Sequence, residues 1–138
     1  MTTFVLIHGA YQGGWIWQFV AARLQGAGHR VYAPSLDGCG ERAAQLRPGI
    51  TTESQAEEIA GLLYYEDLQD IVLVATSAGG MVAARVAETM RDRIGRLADA
   101  QRLRHRMRNL RRPYRADGVV GAVAVALQIG RASCRERV

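Results

Sequence analysis

The segment at residues 71–90 constrains the fold more than any other part of the chain. It begins with the apolar run IVLVA, continues through the small residues TSAGG, and ends in the helical pattern MVAARVAETM. The apolar run is typical of a buried strand. A strand that turns sharply into a helix around a serine is the geometry of a nucleophile elbow, with Ser77 at its apex. A helix-capping serine in an ordinary turn fits the same residues, and the motif alone leaves both interpretations open.

A second glycine-rich segment follows an apolar run near the start of the chain. The residues TFVLI lead directly into His8, Gly9 and Ala10, and then into YQGGW. An acyl-transfer enzyme needs two backbone N–H groups at its nucleophile: one follows the serine, and one lies in a loop after a neighbouring strand. Ala78 and Ala10 fit these two positions, whereas a plain flexible loop is the alternative for the glycines. We interpret His8 as a hydrogen-bonded residue that fixes the shape of this loop.

Two stretches of the chain together resemble the α/β-hydrolase superfamily: FVLIHGAYQGGWIWQFVAARLQGAGHRVYAPSLDGCGER and LLYYEDLQDIVLVATSAGGMVAARVAE. More narrowly, they are similar to the small esterase and hydroxynitrile-lyase branch, which includes plant methyl-ester hydrolases. The similarity runs from Thr3 to about Leu97. It implies that Ser77 is the nucleophile and that Ala10 and Ala78 supply the oxyanion hole. The residues assigned to structural loops around the site are His8, Gly9, Gly79 and Gly80.

The resemblance implies a serine hydrolase that acts on small-molecule carboxylic esters. No cluster of His, Cys and Asp has metal-ligand spacing, so we expect no metal, and we expect no cofactor. A hydroxynitrile lyase of the same fold, using the same residues as acid–base groups, is the alternative within the family. Such hydrolases place the triad acid and histidine after the nucleophile. His105 lies in an arginine-rich run with no strand before it, and Asp99 and Asp117 follow no predicted strand. We therefore expect an incomplete, inactive fragment that lacks the triad acid and histidine.

The charge of the chain changes near residue 97. The first 96 residues contain eight arginines and ten acidic residues, a net charge of −2, and the remainder carries +7 of the total of +5. We interpret residues 1–97 as the N-terminal part of an α/β-hydrolase domain. Residues 98–128 form a basic tail, for which a frameshift is our hypothesis. Residues 129–138, IGRASCRERV, are interpreted as a translated sequencing adapter.

The basic tail also supports a different function. Leu103, Met107 and Leu110 share one helical face among arginines, a pattern that can bind nucleic-acid phosphates or an anionic membrane surface. No aromatic stacking platform accompanies it, so a non-catalytic, nucleic-acid-binding protein is the less favoured alternative. The apolar run at residues 118–127 is too short to span a bilayer, and no signal peptide is evident. We expect a cytoplasmic protein without membrane contact, and its oligomeric state is left open.

The order of apolar and helical segments predicts an α/β fold, here a truncated three-layer α/β-hydrolase sandwich with a short parallel sheet and flanking helices. By resemblance, the first predicted strand lies between the other two. That order leaves the far edge of the third strand unpaired. The predicted strands span residues 3–7, 30–33 and 70–75, and the predicted helices span about residues 15–25, 52–64 and 78–90.

Overall fold

The computed structural model of the chain describes residues 1–101, in which strands and helices alternate. The strands are β1 (Thr3–Ile7), β2 (Arg30–Tyr32), β3 (Ile71–Ala75) and β4 (Ile94–Asp99). The helices are α1 (Gln18–Gly26), α2 (Thr52–Tyr65) and α3 (Gly79–Thr89), and 3₁₀ turns span Gly14–Trp17, Gly40–Gln45 and Arg91–Arg93. The interpretations placed on residues 102–138, the basic helix and the adapter among them, lie outside the described residues.

The strands form a parallel sheet in the order β2-β1-β3-β4. In the register of this sheet, Val5 of β1 lies between Tyr32 of β2 and Leu73 of β3. The structure therefore confirms the α/β class and the position of β1 between β2 and β3. Because all strands run in the same direction, their carboxyl ends meet at one edge, where ligands bind in open α/β sheets.

The core lies on both faces of the sheet because successive side chains of a strand point to opposite faces. Val5 and Ile7 of β1 pack with α2 and α3 on one face, whereas Phe4 and Leu6 pack with α1 on the other. All four of these side chains are fully buried. The helices contribute Ile59, Leu63, Val82 and Val86 to the first face, and Val20 and Leu24 to the second.

The far edge of β3 is occupied by β4, so the prediction of an unpaired edge is wrong. The pairing runs from Ile71 opposite Ile94 to Ala75 opposite Asp99. The expectation that Asp99 follows no strand is wrong for the same reason, since it is the last residue of β4. Residues 95–97 are exposed, so this segment has no continuous apolar run and is held mainly by its backbone pairing with β3.

The helix boundaries differ from the predicted ones mainly at α1, which begins at Gln18 after a 3₁₀ turn rather than at Trp15. The start of α2 is fixed by a capping box. In this box, the Ser54 N–H donates to Thr51 Oγ1 at 3.1 Å and the Thr51 N–H donates to Ser54 Oγ at 2.9 Å. Within residues 1–101, no helix is long and apolar enough to cross a bilayer.

Candidate active site

β3 carries Ser77 to the carboxyl edge of the sheet in a left-handed backbone conformation. Every residue of β3 is buried, and the N–H of Thr76 just beyond it still donates to the Ile7 carbonyl at 3.2 Å. Ser77 has φ of 52°, a strained value for a residue with a side chain, and Ala78 has already returned to helical dihedrals. The chain therefore turns from strand to helix within three residues and leaves the Ser77 side chain exposed.

The glycine loop, defined here as residues 8–14, lies directly against this turn. A Cβ atom added at Gly9 would lie 3.0 Å from the Ser77 Cβ, a tighter contact than most Cβ atoms make in folded proteins. A Cβ atom added at Gly79 would collide with the carbonyl oxygen of His8. The absence of side chains at these two glycines is what allows the loop and the turn to approach each other so closely.

His8 is fully buried and uses both ring nitrogens in hydrogen bonds. Its Nε2 accepts from the Leu36 N–H at 2.9 Å, which leaves the ring proton on Nδ1. Nδ1 lies 2.7 Å from the Gly9 carbonyl oxygen and donates to it. His8 therefore links the glycine loop to the segment after β2, and neither nitrogen is available to act as a base for Ser77.

Ala10 and Ala78, whose N–H groups are the predicted oxyanion donors, line one cavity beside the turn. Within residues 1–101, neither group donates a hydrogen bond to a protein acceptor. By contrast, the Gly9 N–H donates to Gln12 Oε1 at 2.9 Å. The amino end of α3, which begins at Gly79, adds a partial positive charge at the same place. This arrangement is suited to stabilising negative charge that develops on an oxygen atom near Ser77.

The cavity has a volume of about 590 Å³ and is lined mainly by small and apolar residues. Its lining includes Tyr11, Leu46 and Met81, which are exposed to solvent. No Asp, Glu, Lys or Arg lies among its lining residues in the described part of the chain. Polar side chains in the lining include the uncharged Gln12, Thr52 and Gln55.

A polar cluster supports the cavity from the β2 loop, defined here as residues 33–46. The Gly14 N–H donates to Ser35 Oγ at 2.8 Å, and Ser35 Oγ donates to Glu41 Oε2 at 2.6 Å. The hydrogen bond from Ser35 is the main reason that the pKa of Glu41 lies below its ordinary value. Sequence reasoning missed this cluster because Gly14 lies on the glycine loop, 21 residues before its partner Ser35.

The β2 loop is also held by ion pairs around Asp37. Arg47 Nη2 lies 2.8 Å from Asp37 Oδ2, and Arg42 Nη2 lies 3.4 Å from Asp37 Oδ1. The hydrogen bond from Arg47 is the largest cause that lowers the pKa of Asp37, and it outweighs the opposing effect of desolvation. Arg42 also pairs with Glu58 of α2 at 2.6 Å, so the loop is tied to a helix of the core.

We expect the contribution of Asp37 to stability to disappear in acid. Because its folded-state pKa is lowered, this contribution is present above the ordinary value of 3.8 and is lost as the pH falls through the folded-state pKa. Asp37→Asn should therefore lower the urea midpoint of unfolding at pH 7, and the difference from the unaltered chain should shrink toward pH 3. Arg47→Gln should show the same trend, and a difference that stays constant between pH 7 and pH 3 would contradict this assignment.

The described residues do not place a histidine base beside Ser77. His29 lies immediately before β2, at the opposite edge of the sheet, where its Nδ1 accepts from the Thr2 N–H at 3.3 Å. His105 lies outside the described residues. Asp99 is at the carboxyl edge, and its Oδ1 accepts from the Gln101 N–H at 2.7 Å. Within residues 1–101, no group of three or more His, Cys, Asp or Glu side chains is arranged to hold a metal ion.

The chain is similar to known proteins in sequence and in structure. Residues 4–134 match the family model described as "Alpha/beta hydrolase family". The carbendazim hydrolyzing esterase of Nocardioides sp. (strain SG-4G) is 42% identical over 94 residues, which are 68% of this chain and 39% of that esterase. Methylesterase 8 of Arabidopsis thaliana is 34% identical over 92 residues, which are 66% of this chain and 34% of that protein.

A solved structure has a similar fold. It is an extracellular alpha/beta-hydrolase from a Paenibacillus species, with a TM-score of 0.66 and 33% sequence identity. The match covers 72% of this chain and 40% of the Paenibacillus chain. The chain thus spans about two fifths or less of the length of the relatives that it matches.

Proposed function

Because the chain belongs to the alpha/beta hydrolase family, and to its esterase-like branch, we propose that it is part of a carboxylic-ester hydrolase whose nucleophile is Ser77. The observation that carries the proposal is the backbone of Ser77, which has φ of 52° between a buried strand and the start of a helix. A helix-capping serine does not need this conformation, since capping residues have extended dihedrals. A nucleophile elbow does, because the turn exposes the hydroxyl.

In the proposed reaction, Ser77 Oγ attacks the ester carbonyl carbon and the carbonyl oxygen becomes an oxyanion. The N–H groups of Ala10 and Ala78 donate to this oxyanion, and the alcohol leaves to give an acyl-serine that water hydrolyses. A histidine must take the Ser77 proton and pass it to the leaving alcohol. Since residues 1–101 place no histidine there, we propose that the chain alone turns over esters poorly and that the complete enzyme uses further residues.

The cavity supports an uncharged ester as the substrate. An ionised substrate group inside it would lose its hydration without gaining an oppositely charged partner, because no charged side chain is found in the described lining. A volume of about 590 Å³ accommodates a small organic molecule. The amide and hydroxyl groups of Gln12, Thr52 and Gln55 are available to orient such a molecule without requiring it to carry charge.

A chimera tests the nucleophile assignment. The aligned 94-residue stretch of this chain replaces the corresponding stretch of the Nocardioides esterase, whose remainder supplies the other parts of a working esterase. We expect the chimera to hydrolyse p-nitrophenyl acetate, and we expect a serine-directed phosphonate to add its mass to the peptide that contains Ser77. A folded chimera that is active but labelled on another residue would contradict the proposal. Cleavage of a cyanohydrin without ester turnover would instead favour the lyase.

A further inference from the structure

Two hydrogen bonds attach the glycine loop to another segment of the chain, one near each end of the loop. At the start of the loop, His8 Nε2 accepts from the Leu36 N–H at 2.9 Å. At its end, the Gly14 N–H donates to Ser35 Oγ at 2.8 Å. Both partners belong to the β2 loop, and Ala10 lies between the two points of attachment. The position of the Ala10 N–H therefore depends on how well the β2 loop holds the glycine loop.

The Ser35 hydroxyl is oriented by a carboxylate. Ser35 is 5% exposed, and its single hydroxyl proton is donated to Glu41 Oε2 at 2.6 Å. An ionised carboxylate can only accept, so this hydrogen bond directs the Ser35 lone pairs toward the Gly14 N–H. Glu41 is ionised at neutral pH, since even the ordinary pKa of a glutamate, 4.5, lies well below 7 and the pKa of Glu41 is lower still. The hydroxyl is thus held in the orientation that the glycine loop needs.

The two loops are also in backbone-to-backbone contact at this end. A Cβ atom added at Gly14 would collide with the carbonyl oxygen of Ala33, and one added at Gly13 would lie 2.9 Å from the Gly40 Cα. Contacts this close leave little room for the glycine loop to move independently. A displacement of the β2 loop is therefore passed directly to the glycine loop.

We propose that Ser35 and Glu41 are positioning residues that hold the glycine loop, and with it the Ala10 N–H, in place for Ser77. Neither side chain is assigned a contact with the reacting atoms, and both act through Gly14. That this restraint serves catalysis at Ser77 rests on the proposed function. Its existence can be measured on the 138-residue chain without any turnover.

Amide hydrogen exchange of the 138-residue chain, followed by two-dimensional NMR, tests the restraint. In Ser35→Ala, we expect the Gly14 amide to exchange about tenfold faster, since it loses its acceptor. We also expect a shifted Ala10 amide resonance, while the amides of β1 and β3 keep their exchange rates. Ser35→Thr retains a hydroxyl and should restore slow exchange. Glu41→Gln keeps an acceptor oxygen without its charge and should give a smaller acceleration of about threefold.

Asp37→Asn is the matched control, because it removes ion pairs of the β2 loop without touching the Ser35 hydrogen bonds. It should change the exchange rate of the Gly14 amide no more than those of the amides of β1 and β3, since the Ser35 hydroxyl and Glu41 remain in place. Equal acceleration of all amides in Ser35→Ala would show a purely structural role and would overturn the proposal, as would no acceleration at Gly14. If Ser35→Ala does not fold, the same criteria apply to Glu41→Gln. An inactive chimera with the selective exchange intact would instead count against the hydrolase function alone.

Discussion

Replacing Ser77 with alanine in the chimera should lower kcat/KM for p-nitrophenyl acetate by at least about 10³-fold. The reason is that the acyl-enzyme route needs the hydroxyl, and its removal leaves only what the oxyanion donors and substrate binding contribute. The change removes one exposed oxygen atom from a side chain at the surface, so the fold should be retained. Steady-state kinetics give the first quantity, and a thermal melt followed by circular dichroism checks the second.

Two further variants test whether the loss of activity comes from the Ser77 hydroxyl itself. Thr76→Ala removes the neighbouring hydroxyl, which has no role in the proposed reaction, and should leave kcat/KM within about threefold. Ser77→Gly should be as inactive as Ser77→Ala. It should also be more stable by about 1 kcal/mol, because glycine adopts the left-handed conformation without strain. Turnover that survives in Ser77→Ala but is lost in Thr76→Ala would show that Ser77 is not the nucleophile.

The sequence was sufficient for the parts of the fold that bury continuous apolar runs. β1 and β3 consist of such runs and are almost wholly buried, so their pattern alone predicts strands. β4 was missed because only Ile94 and Ala98 of this strand are partly buried. Its stability comes from backbone pairing with β3, which leaves no trace in the pattern of apolar residues. Edge strands of this kind are recognised only when their neighbour is known.

The candidate site, too, could be predicted from the sequence only in part. The left-handed Ser77 and the glycine loop follow from local motifs, since a sharp turn and a close backbone approach both require small residues. The attachment of Gly14 to Ser35 joins positions 21 residues apart in the chain, and the pairing of Asp37 with Arg47 depends on how the β2 loop folds back. Contacts of this kind depend on the tertiary fold. A base for Ser77 does not follow from residues 1–101, since His8 uses both ring nitrogens and His29 lies at the opposite edge of the sheet.

Gly79→Ala should destabilise the 138-residue chain strongly, by roughly 3 kcal/mol, at the upper end of the usual cost of overpacking. The added methyl group would meet the His8 carbonyl oxygen and would lie 3.0 Å from Ile7 Cγ2. Neither neighbour can retreat easily. Ile7 is fully buried within β1, and His8 is fixed by its two ring hydrogen bonds. Urea unfolding followed by circular dichroism measures the loss.

Gly80→Ala is the matched control one residue further along α3. A Cβ atom there meets nothing within 4 Å, so the substitution should stabilise the chain by about 0.5–1 kcal/mol through the helix preference of alanine. The two variants thus make the same chemical change in the same helix and should move the urea midpoint in opposite directions. A shift in the same direction would mean that α3 does not start against the glycine loop. The close approach of Ser77 to that loop, on which the proposed reaction depends, would then be lost as well.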